Sequence, residues 1–421
     1  MRPNVTPDIA LATRLFDALH AASFDGVGIV REAYGPGERL AHAMIRAEAE
    51  ALGLEIAVDA AGNMLATLPG TDRHLPCVVL GSHLDSVHRG GNFDGAAGVL
   101  AGLATIAGMR AAGLRPARDV TLLVIRAEEA GAWFPTSFPG SRAALGRLPA
   151  EALEVQRLDT GRTLAAHMAE EGFDPEAVRA GHCLLPPARV AAYLELHIEQ
   201  GPVLDSAGIA AGIVTGIPGS RRLRAGRVEG QTNHSGATPR RFRRDAGIAL
   251  AELAIGLDTH WLALEAQGRQ LVCTFCVLAT DGDAGFTKVP GHARFELDVR
   301  SLDAADCDAI FAEFHRLVPL IEARRGVRFH PGAESGSVAT PLDAGLRARL
   351  VAAAAELGLP APEMPSGGGH DAVAFAQAGV PAGMIFVRNQ NGSHTPAEAM
   401  RLEDFAAATA LMSRWATLEA G

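Results

Sequence analysis

The sequence predicts an α/β protein with a mixed, mostly parallel sheet flanked by helices, carrying an inserted α+β domain, and three observations predict it. Apolar runs of strand length (CVVL from Cys77, VTLLVIRA from Val120, RVAAYLELHI from Arg189, AGMIFV from Ala382) alternate with segments of helical period. Each run leads into a polar cluster, and ligands of such sheets sit outside the carboxyl ends of the strands. Between about 213 and 328 the order becomes strand, helix, strand, strand, helix, strand, the ferredoxin-like pattern.

Taken in order, Thr6 to Leu52 has mostly helical apolar spacing, and Asp59 to Asn63 reads as a turn before a strand from Met64. The Cys77 run ends in Gly-Ser-His-Leu-Asp. A glycine-rich turn and a helix from Gly95 to Gly113 follow. The Val120 run ends at Glu128-Glu129, the next near His197, and the last in a polar loop with His394. In the middle stretch, RLRAGRVEG, LVCTFCVLAT, ARFELDVRS and VRF are the strands. RDAGIALAELAIGL and the segment from Asp303, its expected cap, are the helices. Residues 1–212 and 329–421 are thus assigned to one domain and 213–328 to the insert.

A chain of 421 residues holds roughly two or three domains of about 150 residues. With 48% apolar and 20% charged residues it has the composition of a globular protein with large cores. A net charge of −10 argues against nucleic acid or an anionic membrane as partner. Uncharged stretches such as Gly95–Met109 are too short and glycine-rich to span a bilayer, and the first residues lack a signal-peptide pattern. Five dispersed cysteines make no disulfide framework, so a cytoplasmic location is expected. Cys273 and Cys276 point to opposite faces of a strand, which disfavours a shared zinc; both read as core residues.

GSHLDSV and GGNFDGAAG bring His83, Asp85 and Asp94 together just past a strand. Asp85, two residues on in extended chain, is placed to orient His83, as carboxylates do behind metal-bound histidines. A surface loop with a capping aspartate is the plainer alternative. Glu128 and Glu129 are costly neighbours at a strand end unless a cation or proton is shared. One suits a metal and the other a general base, or the pair is a solvated loop. A lone histidine such as His197 is more often a hydrogen-bonded core residue than a ligand, and His394 also reads as a surface histidine. His370 follows a Gly-Gly-Gly run that is either an anion-binding loop or a turn. Together, His83, Asp94, Glu129, His197 and His394 supply the nitrogen and oxygen donors that zinc, manganese, cobalt or nickel accept.

These motifs resemble those of the N-carbamoyl-L-amino acid hydrolase, β-ureidopropionase and allantoate amidohydrolase group, within the dinuclear-zinc aminoacylase and carboxypeptidase superfamily. The resemblance runs from AGN near residue 62 to SHTPAE near 398, through GSHLDSV, GGNFDG, the Glu-Glu pair, GSRAALG, HIEQGP, NHSGATP, RRDA, the VPG turn, LDVRS and SGGGHDA. It implies a zinc-aminopeptidase-like catalytic domain and an inserted lid that also forms a homodimer, with hinges near Ala211–Gly212 and Arg328–Pro331 allowing closure. It implies two divalent ions per subunit, zinc foremost: His83 and His197 on one, Glu129 and His394 on the other, Asp94 bridging. Glu128 would be the general base towards a water bridging the metals, with Asp85 behind His83. His234, reaching into the active site of a second copy, would stabilise the oxyanion, and Arg300 would clamp the substrate carboxylate. Gln200, Gln231, Thr287, Gly368, Gly369 and His370 are further substrate-binding candidates. The implied reaction is hydrolysis of the carbamoyl C–N bond of an N-carbamoyl amino acid or related ureido acid.

The chain departs from the family pattern at Thr287, where Asn is usual, at AGAWF with Trp133 after the Glu pair, and at NGSH, which lacks the usual Ile. A dinuclear-zinc dipeptidase or N-acyl amino acid hydrolase of the same superfamily is the alternative. A non-catalytic homologue would have been free to lose Glu128 or a ligand, and none is lost.

Overall fold

The computed structural model describes residues 5–129, 131–282 and 284–421. In it the apolar runs pair as strands β1 (Glu55–Val58), β2 (Met64–Leu68), β3 (Cys77–His83), β4 (Val120–Ile125), β5 (Val190–Ile198), β6 (Ala211–Val214), β7 (Glu363–Met364) and β8 (Ala382–Val387). Their spatial order is β1-β2-β4-β3-β5-β8-β6-β7. The four central strands β4, β3, β5 and β8 are parallel neighbours, while β1, β2 and β6 bring antiparallel pairings at the flanks. Every residue of β3, β4 and β8 is buried, which is why they read as unbroken apolar runs and not as alternating ones.

Helix Ala96–Ala111 is buried from Ala96 to Met109. Its small and apolar residues on all sides fit a helix packed between the sheet and helices Ile9–Ser23 and Leu402–Glu419. The expected N-terminal helical region resolves into Ile9–Ser23, where Asp8 caps by accepting the Leu11 N–H at 2.9 Å, and Pro36–Ala51, which opens on proline.

The chain divides into two compact units: up to Thr215 together with Leu342 onward, and Gly216–Pro341. The second unit has an antiparallel sheet. Its strand Gly219–Glu229 pairs with His292–Ser301 on one side and with Arg328–His330 and Ala333–Ser337 on the other, and Leu271–Thr280 lies at the edge beside His292–Ser301. Helices Ala246–Glu265 and Ala304–Arg325 pack through Leu250, Leu253, Leu257, Phe311 and Phe314 onto Phe295 and Leu297. This is the predicted β-α-β-β-α-β order, and Asp303 caps the second helix as expected. Ala246–Glu265 is long and apolar enough to cross a membrane by length and composition, yet its leucine stripe is spent on this core.

Two sequence expectations are corrected. Cys276 is exposed and not a core residue: the strand alternates between a covered and an exposed face, and Cys276 falls on the exposed one with Val272, Thr274 and Leu278. Both expected hinges overlap strands. Ala211 and Gly212 pair with Val387 and Phe386 inside the large sheet, and Arg328–His330 is a strand of the second unit. Backbone pairing at both places leaves the crossings between units at 215–216 and 341–342.

Candidate metal centre

Because β4, β3, β5 and β8 run the same way side by side, their carboxyl ends converge. His83 is the last residue of β3, beside Ile125 of β4, and His197 sits in β5 beside Phe386 of β8. Glu128 and Glu129 follow β4, Asp94 precedes helix Ala96–Ala111, and His394 lies in the loop after β8. The result is two clusters able to coordinate divalent ions: His83, Asp94 and His197, and Asp94, Glu129 and His394. Asp94 belongs to both. Its Oδ1 lies 3.1 Å from His197 Nε2 and 3.7 Å from His83 Nε2, while its Oδ2 lies 3.4 Å from His394 Nε2. Glu129 Oε1 is 3.7 Å from the same His394 nitrogen.

The donor set fits a pair of cations. Four carboxylates, of Asp85, Asp94, Glu128 and Glu129, are buried together, and burial followed by the Asp94 charge pushes the Glu129 carboxyl up to about 8. Burial likewise raises Glu128, with Glu129 and Asp371 adding to it against the lowering effect of His83. Such crowding is relieved by protons or by metal. Glu129 Oε1 is buried with no hydrogen-bond partner, an acceptor kept for something outside the chain. The imidazoles and carboxylates are the donors zinc takes, and no thiolate is among them.

Local backbone makes the convergence. Asp85 accepts the Glu128 N–H on Oδ1 and the Glu129 N–H on Oδ2, both at 3.0 Å, and its Oδ1 lies 3.3 Å from His83 Nδ1. Ala127, Gln200 and His394 hold left-handed φ values of 56°, 65° and 59°. Non-glycine residues in this region cost about 1–3 kcal/mol each, and such strain clusters at functional sites. Gly95 has φ 66°, and a Cβ there would lie 2.3 Å from the His83 ring. Glu128 belongs to neither cluster; its Oε2 is 3.7 Å from His83 Nε2.

Of the other candidates in this unit, Gln200 reaches the centre, its Nε2 donating to Asp94 Oδ2 at 2.8 Å. His370 is fully buried, bonded through Nε2 to Ser366 Oγ at 3.0 Å, with its ring 4.5 Å from that of His197. The Gly368 N–H also goes to Ser366, at 3.1 Å, and Gly369 is exposed. Trp133 is a packing residue whose indole N–H donates to the Ser86 carbonyl at 2.7 Å.

Gln231, His234, Thr287 and Arg300 lie on the second unit. His234 Nδ1 accepts the N–H groups of Gly236 and Ala237, both at 3.1 Å, so in the neutral ring the proton sits on the exposed side at Nε2. The Thr287 carbonyl accepts the Ser235 N–H at 2.9 Å, and the Gln231 N–H reaches the Arg244 carbonyl at 2.8 Å. Arg300 places Nε and one terminal nitrogen on Asp298 Oδ2, at 2.9 and 2.8 Å.

Sequence reasoning missed several supports. Arg31 is fully buried, with Nε on the Leu84 carbonyl at 2.6 Å and a terminal nitrogen on Asn92 Oδ1 at 3.2 Å. Glu38 accepts the Ala127 N–H at 2.9 Å and pairs with Arg126 at 2.9 Å, both buried. Glu398 stood in the quoted SHTPAE motif without a role. No spacing signal marks Arg31 or Glu38, whose partners lie far along the chain.

Residues 79–418 match the model of Peptidase family M20/M25/M40. An N-carbamoyl-L-amino acid amidohydrolase of Geobacillus stearothermophilus is 36% identical over 385 residues, 90% of each chain. A probable allantoate deiminase of Oryza sativa subsp. japonica is 32% identical over 419 residues, 92% of this chain and 84% of the other. The crystal structure of a hydantoinase/carbamoylase family amidase from Burkholderia ambifaria superposes with a TM-score of 0.88 at 30% identity, covering 100% of this chain and 99% of that one.

Proposed function

The chain belongs to peptidase family M20/M25/M40 and, within it, to the hydantoinase/carbamoylase group, and on that premise we propose that it hydrolyses the carbamoyl C–N bond of an N-carbamoyl amino acid or related ureido acid. It is a metal-dependent hydrolase, and the observation that carries the substrate reading is its whole-length identity to a relative named for that activity, joined to two clusters that share Asp94. Water adds and the products are ammonia, carbon dioxide and the free amino acid.

Two divalent ions, zinc foremost and manganese, cobalt or nickel also accepted by these donors, would be held by His83, Asp94 and His197 and by Asp94, Glu129 and His394. When bound they lower the pKa of water towards neutrality and polarise the scissile carbonyl. Glu128 takes the proton of the attacking water and passes it to the leaving nitrogen, work suited to a buried carboxylate outside both clusters. Asp85 keeps the His83 ring and both glutamate backbones in place. His234, supplied by a second copy, donates Nε2–H to the developing oxyanion. Arg300 presents a planar fork to the substrate carboxylate. Gln200 and Gly369 of the first unit, and Gln231 and Thr287 of the second, are the further substrate-binding candidates.

The homodimer in this reading forms through the second unit. Strand Leu271–Thr280 is a sheet edge, and Ile248, Ile255 and Leu262 expose a stripe at seven-residue spacing on their helix. All five cysteines are free, in keeping with a cytoplasmic protein.

The test is ammonia release by metal-loaded protein from N-carbamoyl α-amino acids, N-carbamoyl-β-alanine and allantoate, with N-acetyl amino acids and dipeptides as competitors and free amino acid followed in parallel. Ammonia from a ureido substrate, lost in Glu128→Gln, is the expected result. Free amino acid released from acyl or peptide substrates without ammonia would move the chain to the acylase or dipeptidase branch.

A further inference from the structure

Asp94 and His394 reach the centre from segments far apart in sequence, and His394 is poorly held by packing: its side chain is 51% exposed and its backbone is left-handed. Beside Gln200, whose Nε2 lies 2.8 Å from Asp94 Oδ2 and 3.3 Å from His394 Nε2, the two segments are tied together by Glu398, only 7% exposed. Its Oε1 accepts the N–H of Phe93 at 3.0 Å and of Asp94 itself at 3.2 Å. Its Oε2 lies 2.7 Å from the hydroxyl of Ser393, the residue before His394. That hydroxyl is also 2.6 Å from Asp94 Oδ2. The loop's own base is closed by the paired backbones of Gln390 and Ala399, at 2.7 and 3.1 Å, so holding Ser393 fixes the loop as a body. Gly91 completes the fit: a Cβ there would lie 2.3 Å from Glu398 Oε1.

We propose that Glu398, acting through Ser393, is a positioning residue that locks the Asp94 and His394 segments to each other and thereby sets the affinity of the Asp94–Glu129–His394 cluster for its ion. This rests on the reading of those residues as metal ligands. One carboxylate fixes the shared ligand and a ligand specific to one cluster, so its loss weakens that ion most. Partners of this kind behind a metal site typically contribute about 10–100-fold to metal affinity.

The experiment titrates cobalt(II) into metal-free protein, following visible absorption and the number of ions retained in equilibrium dialysis, for the wild type, Glu398→Ala, Glu398→Gln, Ser393→Ala and, as a control, Asp94→Ala. The melting temperature of each metal-free protein is measured alongside. Glu398→Ala is expected to bind one ion about 10–100-fold more weakly than the wild type. Glu398→Gln, which retains an acceptor for the Phe93 and Asp94 N–H groups, restores most of that affinity, and Ser393→Ala falls between. A lowered melting temperature with wild-type affinity for both ions would make Glu398 a plain loop staple and overturn the proposal. Should Glu398→Ala not fold, wild-type affinity in both Glu398→Gln and Ser393→Ala overturns it equally. If Asp94→Ala keeps both ions, the ligand assignment itself fails. If Asp94→Ala loses ions while Glu398→Ala keeps them, only the role of Glu398 fails.

Discussion

The carboxylate of Asp85 accepts the backbone N–H of Glu128 at 3.0 Å, and through this bond a residue after β3 fixes the residues after β4. The second carboxylate oxygen does the same for Glu129, and the first also faces His83 Nδ1. Asp85 therefore governs a candidate ligand from each strand and Glu128, the proposed general base. Asp85→Ala is expected to bind metal about 10–100-fold more weakly and to lose turnover even at saturating metal. Metal titration and kcat measured side by side check this; unchanged affinity would mean that His83 and Glu129 are placed by packing alone.

Glu128→Gln separates chemistry from assembly. The change leaves both clusters intact, so two ions per chain should remain by elemental analysis while kcat falls by about 100–10,000-fold, the usual contribution of a general base. Removing metal from the wild type with a chelator should abolish activity and lower the melting temperature, and readdition should restore both. A ligand present at about 100 times its Kd stabilises by about 2.7 kcal/mol. A chelated enzyme that stays fully active would contradict the metal-dependent reading.

The parts of this architecture legible in the sequence are those encoded locally. β3, β4 and β8, buried on both faces, leave unbroken apolar runs, and the residues at or just beyond strand ends stand out because they are polar where the run stops. His83, Asp85, Asp94, Glu128 and Glu129 were visible for that reason. What was not legible is pairing over distance: Glu398 meets Phe93 across 305 positions, and Arg126 meets Glu38 across 88. A glutamate in a loop looks the same whether it faces water or a backbone amide. Cys276 was misread because alternation separates it from Cys273 without saying which face of the strand is covered, and the strand at 211–214 was missed because four residues are too few to show a period.

His42, on helix Pro36–Ala51, provides a pH handle away from the metal ligands. Burial holds its pKa well below the usual 6.5, with the Arg126 charge lowering it further. The folded chain thus keeps it neutral where the unfolded chain takes a proton. Its contribution is complete above pH 6.5 and is lost progressively as pH falls below that value, at up to about 1.4 kcal/mol per pH unit. Denaturant unfolding from pH 7.5 to 5.0 should show a shallower fall in stability for His42→Gln than for the wild type. Identical slopes would mean that His42 is protonated in the folded state or that its environment is open to water.

In the proposed reading Arg300, oriented by Asp298, governs substrate choice. Two nitrogens of the Arg300 guanidinium rest on one oxygen of Asp298, while Arg222 Nε takes the other oxygen at 3.1 Å, so the acid orients Arg300 from within the sheet. A guanidinium held this way keeps its planar geometry for a carboxylate, which a lysine ammonium cannot reproduce. If Arg300 recognises the substrate carboxylate, Arg300→Lys should raise KM about 10-fold or more with a smaller change in kcat, the mark of lost uniform binding. Asp298→Asn, which keeps the size but removes the charge that aligns the fork, should raise KM less, with metal content unchanged in both. Steady-state kinetics on the best ureido substrate, repeated with its carboxamide analogue, decides it. The Arg300 assignment requires the wild type to prefer the carboxylate and Arg300→Lys to lose that preference, so equal discrimination by both enzymes would remove Arg300 from the carboxylate site.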